Sequence, residues 1–378
     1  MKSTPPSDDL HLIVTRSTQS QRTFQLHTRY WGATLRLGAL DYDAQACGFD
    51  LQTLQRECQR RLHIIRDLEA IGLPAPLPDE SPVLGQGRRV AGLLPPLARW
   101  LIVQVARSAR RRRRGLRIVL EVASDALEVL SVPWELLALP LDSTGAERFL
   151  LLDANISLVR RVRGLGHTEE PLFSGPIQVQ AFVAAPRHAP PINDAGTLGG
   201  EGPVSAPPDL ALDWYSGPDT LGAIQQRLHS ASPSVVHLLC HGERVDSGRG
   251  VRYSLLLTNA AGMAQRVAAA DLARVLTLAP DLRLVVLQAC HAGATAVQHQ
   301  GAEGAVEGIA LSLLRAGTPA VVAMQGEVGQ VAANAFVRAC YDLLARGASL
   351  ERAVAAGRIA MRSADAVVDW SFPVLYRS

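Results

Sequence analysis

Residues 10–38 alternate polar and apolar positions, as in HLIVTRS and TFQLHTRYWGATLRL, and predict two or three short strands. Asp50 is placed to cap a helix in which Leu51, Leu54, Cys58, Leu62, Ile65 and Leu68 recur every three or four positions. The proline-rich stretch LPAPLPDESP ends it. A second helical stretch is expected over 96–113, then strands at 116–123 and 127–132, the segment Pro133-Trp134-Glu135-Leu136-Leu137, and LVRRV at 158–162. Residues 163–176 read as a linker, and after it strands and helices alternate. Apolar strand runs fall at 177–186, 235–241, 282–290 and 319–326, with a further strand at 253–259. Helices are expected at TLGAIQQRLHS and over 269–279, 305–316, 329–346 and 349–362. Residues 187–212 carry no periodicity and predict a long surface loop. Alternating strands and helices with continuous apolar strand cores define an α/β chain with a mostly parallel sheet. The expected division is an N-terminal α/β half over 1–170 and a second half over 171–378.

The length of 378 residues suits two domains or one elaborated domain, and 48% hydrophobic with 19% charged residues is a globular composition. A net charge of +3 is too small to steer the chain toward nucleic acid. The run from Arg107 to Arg114 closes an apolar helix without interleaved aromatics, so it reads as a solvated helix end. Cys47, Cys58, Cys240, Cys290 and Cys340 are odd in number and widely spaced, and no CxxC pair occurs. Neither a disulfide framework nor a zinc ribbon follows from that pattern. Without a leader-like apolar core or a long apolar run, the expectation is a cytoplasmic protein with reduced thiols and no membrane partner.

Candidate chemistry gathers where two apolar runs end. VVHLLC runs into His241-Gly242, and LRLVVLQA runs into Cys290-His291. Ligands bind beyond the carboxyl ends of strands in parallel α/β sheets, so neighbouring strands would bring His241 and Cys290 side by side. A thiol becomes a strong nucleophile when an imidazole takes its proton. Gly242 leaves its N–H unobstructed, and with the N–H of Cys290 it is a candidate oxyanion hole. Gln288-Ala289-Cys290 matches the start of the caspase signature, and His241 lies 290 − 241 = 49 residues upstream, near the spacing of about 50 for that signature. Ala292 between His291 and Gly293 departs from it.

With these residues in place the chain resembles the CHAT domains of the caspase–separase clan. The resemblance rests on VVHLLCHG, AADLARVLTLAPDLRLVVLQACHAG, GIALSLLRAGTPAVVA and the ending YDLLARGASLERAVAAGR…DWSFPVLY, and is weaker over PWELL and LVRRV. It implies a caspase-like sheet flanked by helices and hydrolysis of peptide bonds in protein or peptide substrates, with Cys290 as nucleophile and His241 as general base. It also implies a regulated effector in prokaryotic defence or cell death. Relatives that cut after Arg or Lys often carry Asp where this chain has Gln288, so a basic preference does not carry over. No sensor repeats are visible, which points to control by a separate activating sensor or protease.

Gln288, Arg187, Glu243, Asp246 and Glu327 are candidate substrate-pocket residues at the same sheet edge, each also readable as an ordinary loop or packing residue. His237 shares a strand face with His241 and reads as packing; Cys240 and Cys340 read as core. A thiol–imidazole pair needs no cofactor, and His237, His241, Cys290 and His291 fit no common zinc spacing. The loop 187–212 is a candidate cover for the groove, with Arg187 as a processing point, or else a tolerated insertion. The competing functional class is an inactive caspase-like scaffold that binds partner proteins, against which an intact His–Cys pair counts.

Overall fold

The computed structural model describes residues 7–17, 23–30, 33–42, 49, 53–58, 60, 81–142, 144–165, 173, 176–192, 210–247, 250–294, 296–298, 305–364 and 367–378. The first part of the chain forms β1 (Ser7–Arg16), β2 (Thr23–Tyr30), β3 (Ala33–Asp41) and β4 (Gly115–Val122). The short pair β5 (Ala138–Leu139) and β6 (Arg148–Phe149) follows, then β7 (Ile156–Val162). The second part supplies β8 (Ile177–Val183), β9 (Leu210–Ser216), β10 (Val235–Leu239), β14 (Leu284–Gln288), β17 (Ala320–Met324) and β18 (Pro373–Arg377) to the same sheet. Between them lie the antiparallel β11 (His241–Ser247), β12 (Gly250–Thr258) and β13 (Ala264–Val267), and the pair β15 (Ala296–Gln298) and β16 (Ala305–Glu307).

Eleven strands make one sheet in the order β3-β2-β1-β4-β7-β18-β17-β14-β10-β8-β9. β1, β4, β7 and β18 run parallel to one another. β17, β14, β10, β8 and β9 form a second parallel block. β18 meets β17 antiparallel, so the two blocks point in opposite senses and the last strand welds the halves together. The expected mostly parallel sheet flanked by helices is therefore present. β10, β14 and β17 are buried at every position, as their unbroken apolar runs require of strands covered on both faces.

Several local expectations change. Residues 127–132 are a 3-10 turn, Leu127–Ser131, and not a strand. Leu127 and Leu130 are both buried, because a three-residue turn stacks i on i+3. An additional helix, Ser81–Leu93, was hidden by three glycines of low helix propensity. Gly87 is needed there: a Cβ would lie 2.5 Å from the Leu136 carbonyl oxygen. The expected strand 235–241 ends at Leu239, and His241 opens the separate β11–β12–β13 ribbon, which also holds the strand expected at 253–259. Residues 305–307 form β16, and the helix begins at Ile309. The loop expected at 187–212 gives way to β9 at Leu210, while 193–209 lie outside the described residues. The helix expected after Asp50 is helical over 53–58 and at residue 60, and its other residues and Cys47 lie outside them.

Arg110 to Arg113 are exposed at the end of the Pro96–Arg111 helix, as a solvated helix end requires, and several arginines of the run also have partners. Arg107 donates to the carbonyls of Pro140, Leu141 and Asp142. Arg110 pairs with Asp153, and Arg112 and Arg114 with the buried Asp8. These side chains clip the end of the Pro96–Arg111 helix to neighbouring chain segments. Among the described residues no helix is long and apolar enough to cross a membrane.

The core of the weld is a buried charge network. Glu135 and Arg160 are both 0% exposed, and the Arg160 guanidinium pairs with the Glu135 carboxylate. Arg160 also donates to Leu130 O at 2.5 Å and to Gln325 Oε1 at 3.3 Å. Gln325 donates to Ser371 O at 2.8 Å and to Glu135 Oε2 at 3.4 Å. Arg358, also fully buried, donates to Pro373 O at 2.9 Å. PWELL and LVRRV thus contribute the pair that anchors the chain leaving β17. Trp134 is also buried.

Candidate active site

β10 and β14 are parallel neighbours with Leu239 opposite Gln288, and both strands stop at that level. The Cys240 N–H still bonds the Gln288 carbonyl at 3.3 Å, which carries the pairing one step past the strand end. The next residues on the two chains are His241-Gly242 and Cys290. Their backbones touch: a Cβ on Gly242 would lie 1.7 Å from Cys290 O and 3.1 Å from Cys290 N. No side chain fits there. Gly242→Ala is expected to displace Cys290 and to lower Cys290-dependent reactivity at least about tenfold, given the sensitivity of such sites to shifts of an ångström. Thiol alkylation rates on the folded variant check it.

His241 Nε2 lies 2.8 Å from the Pro190 carbonyl oxygen. A carbonyl can only accept, so Nε2 carries the proton and Nδ1 keeps the lone pair. The imidazole is thereby held in the tautomer of a base. Pro190 lies past the end of β8 at Val183, within the described start of the long loop.

Cys290 is half-buried, whereas Cys58, Cys240 and Cys340 are buried. Burial pushes the Cys290 thiol up. The nearby Val328 N–H acts against this, while the carboxylates of Glu327 and Asp369 add to it. Cys240 and Cys340 are pushed up to about 12 by burial and are inert core thiols, as expected. His291 follows Cys290 in the left-handed region at φ 60. Its ring stacks on Tyr253 at 6.1 Å between centroids, and its Nε2 is 3.6 Å from Glu327 Oε1. Few non-glycine residues adopt such backbone angles, and here it turns the chain sharply beside the thiol.

The remaining candidates divide. Glu327 stands at the site, its side chain 63% exposed beside His291. Gln288 is buried and points toward the Gln330–Ala345 helix, where it donates to Asn334 Oδ1 at 3.3 Å. Its Oε1 is 3.2 Å from His237 Nε2. His237 is fully buried and depressed to about 4 by burial, so it packs as a neutral ring. Glu243 is ion-paired across the ribbon to Arg266. Arg187 is exposed and forms a β-bridge with Met263 near the β12–β13 turn. The backbone of Asp246 lies in β11 opposite Val251, and its side chain is outside the described residues. Among the described residues no group of three or more His, Cys, Asp or Glu is arranged to hold a metal ion.

Pro190, Val328 and Asp369 were not foreseen. The first two act through backbone atoms, which no side-chain pattern reveals. Asp369 sits in the DWSFPVLY ending, whose letters carried a resemblance but no chemistry.

A half-buried thiol and an imidazole whose Nε2 is bonded to a carbonyl lie just beyond the ends of adjacent parallel strands, where the backbones of Gly242 and Cys290 touch. Residues 215–378 match the family model of the CHAT domain. No curated protein sequence matches the chain. Among solved structures, the separase–securin complex of Saccharomyces cerevisiae is similar with a TM-score of 0.48 and 11% identity, over 98% of this chain. This chain spans 30% of the length of that one. The Arg-specific cysteine proteinase gingipain R is similar with a TM-score of 0.40 and 12% identity, over 73% of this chain and 66% of that one.

Proposed function

We propose that the protein is a cysteine endopeptidase in which Cys290 attacks the scissile carbonyl and His241 accepts its proton. The observation that carries this reading is the contact between the Gly242 and Cys290 backbones, with His241 Nε2 bonded to Pro190. Because burial pushes the thiol up, the resting nucleophile is a neutral thiol. Proton transfer to Nδ1 then accompanies attack. The developing oxyanion is placed for the N–H groups of Gly242 and Cys290. Collapse of the tetrahedral intermediate breaks the C–N bond, and the proton held on His241 goes to the leaving amine. Water, deprotonated by the same imidazole, hydrolyses the thioester and restores the thiol.

Protein or peptide is the substrate class, and Glu327 is a candidate pocket residue because its carboxylate is exposed beside the nucleophile. Gln288 supports the pocket from below by its bond to Asn334. A regulated effector role in prokaryotic defence or cell death, cytoplasmic and controlled by a separate sensor or protease, follows from the CHAT resemblance. Processing after Arg187 is disfavoured: it would cut the chain three residues before Pro190, which fixes the His241 tautomer.

The reading is tested by iodoacetamide. Cys290 is expected to be alkylated before Cys58, Cys240 and Cys340, at a rate that keeps climbing as pH rises through and above the ordinary thiol range of about 8.5. The sign follows from burial, which favours the neutral thiol and defers the thiolate to higher pH. A Cys290 labelled no faster than the three buried cysteines at any pH would count against a working nucleophile.

A further inference from the structure

We infer that Asn259, in the turn between β12 and β13, is a positioning residue for the base. It shapes the turn that clips residues 187–190 in place, and the Pro190 carbonyl so held orients the His241 imidazole. The inference deepens the proposed function and rests on His241 being its base. Asn259 Oδ1 accepts the N–H groups of Ala261 at 3.0 Å and Met263 at 2.9 Å. The backbone closes the same turn, with the Asn259 N–H donating to Met263 O and the Gly262 N–H to Asn259 O, both at 2.9 Å. Gly262 sits at φ 77, in the left-handed region that glycine adopts without steric cost. Its carbonyl accepts the Arg187 N–H at 2.9 Å, and Arg187 bridges to Met263. From there the chain turns tightly: His188 takes φ 68, and the Ala189 N–H returns to Pro186 O at 3.2 Å. Pro190 follows, with its carbonyl 2.8 Å from His241 Nε2.

These contacts close a ring. His241 opens β11 and lies opposite Leu256 in β12, which leads into the Asn259 turn. The ribbon therefore holds the His241 backbone at one end and, at the other, the segment that orients its imidazole. Pro190 and Pro191 have no N–H with which to tie themselves to the ribbon, so the anchor falls to Arg187 just upstream. The tautomer of an imidazole is set by the bond its other nitrogen makes. If the turn loosens, Gly262 O moves off Arg187 and Pro190 O leaves Nε2. The ring is then free to rotate and to change tautomer, and it presents the Nδ1 lone pair less often. Asn259 thus acts on the base only through the turn and the 187–190 backbone, without touching substrate.

The test is nuclear magnetic resonance on the full chain carrying isotope-labelled histidine, with the His241 signals assigned by their loss in His241→Ala. Wild-type protein is expected to show a proton on Nε2 that is protected from exchange with water, and an unprotonated Nδ1. Asn259→Leu is close in size and deletes the Oδ1 acceptor, whereas Asn259→Asp keeps it. In Asn259→Leu the Nε2–H should exchange about 3–10-fold faster, the equivalent of one net hydrogen bond. Iodoacetamide alkylation of Cys290 at neutral pH should slow by a similar factor, and Asn259→Asp should restore both. Arg187→Pro removes the N–H that Gly262 accepts and should reproduce the Asn259→Leu response. Arg187→Ala keeps that N–H and should leave the imidazole signals as in wild type. A folded Asn259→Leu with wild-type imidazole exchange and alkylation overturns the inference, and so does a wild-type protein whose Nε2 carries no protected proton. Should Asn259→Leu not fold, wild-type imidazole signals in Arg187→Pro overturn it. The expected imidazole response in a protein that cleaves no peptide would reject the peptidase reading and leave the clip standing.

Discussion

Cys290→Ala is expected to lower kcat for peptide cleavage by about 10⁴-fold or more, because it deletes the atom that forms the covalent intermediate. His241→Ala is expected to cost nearly as much. The neutral thiol of the resting site gives up its proton only when a base is present, and burial together with the Glu327 and Asp369 carboxylates makes that proton harder to lose. The double variant should be scarcely worse than either single one, since residues acting as a unit are not additive. Neither change should unfold the chain. Cys290 lies in a turn beyond β14, half-exposed, and His241 is likewise only partly buried. Steady-state kinetics on the three variants, with circular dichroism as a fold control, measure this. Cys240→Ala and Cys340→Ala are the controls that should retain activity, subject to their cost in the core.

Glu135→Ala is expected to be the most damaging single change to stability outside the site, at about 3–5 kcal/mol. It leaves Arg160 charged, fully buried and stripped of its carboxylate, with Arg358 close behind at 3.9 Å from Glu135 Oε1. It also removes an acceptor from Gln325, at the root of the segment that carries Val328. The loss should therefore appear in denaturant unfolding and, in whatever fraction stays folded, as weaker Cys290 reactivity. A paired apolar replacement of Glu135 and Arg160 should cost much less than Glu135→Ala alone, since no buried charge is then stranded. Urea titrations of the single and double variants separate the two outcomes.

What the sequence revealed and what it concealed follow from the reach of each signal. The central strands β10, β14 and β17 were legible because strands covered on both faces must be apolar throughout. That pattern also led to His241 and Cys290, which sit just past the strand ends. The helix Ser81–Leu93 was not legible, because Gly87 was chosen for its close approach to Leu136 and not for helix propensity. β9 was missed because an edge strand, LALDWYS, is only partly covered and carries polar residues at Asp213 and Ser216. The antiparallel β18 was missed too, although it joins the two halves. Its five residues resemble any short apolar tail until β7 and β17 are seen on either side of it. Gln288 was read as a pocket residue on position alone, and no pattern in the sequence revealed its partners Asn334 and His237.

The bonds of Pro190 to His241 and of Gln55 to the Glu327 carbonyl share a deeper reason for being hidden. Each depends on a backbone atom or on a partner far away in sequence, and neither leaves a periodic trace. The arginine run shows the converse. Its charge pattern was plain, but Asp8, Asp153 and three carbonyls absorb much of it, which only the folded chain discloses.

The central claim is that Cys290 forms a covalent bond to the acyl half of a cleaved peptide. Its most direct measurement is acid quenching of the enzyme during turnover of a mixed peptide library, followed by mass spectrometry of the digested protein. The account predicts acyl adducts, labile to hydroxylamine as thioesters are, on the peptide that contains Cys290, and none in Cys290→Ala, which should also release no cleavage products. Cleavage that persists in Cys290→Ala, or an adduct carried by any other residue, would contradict it.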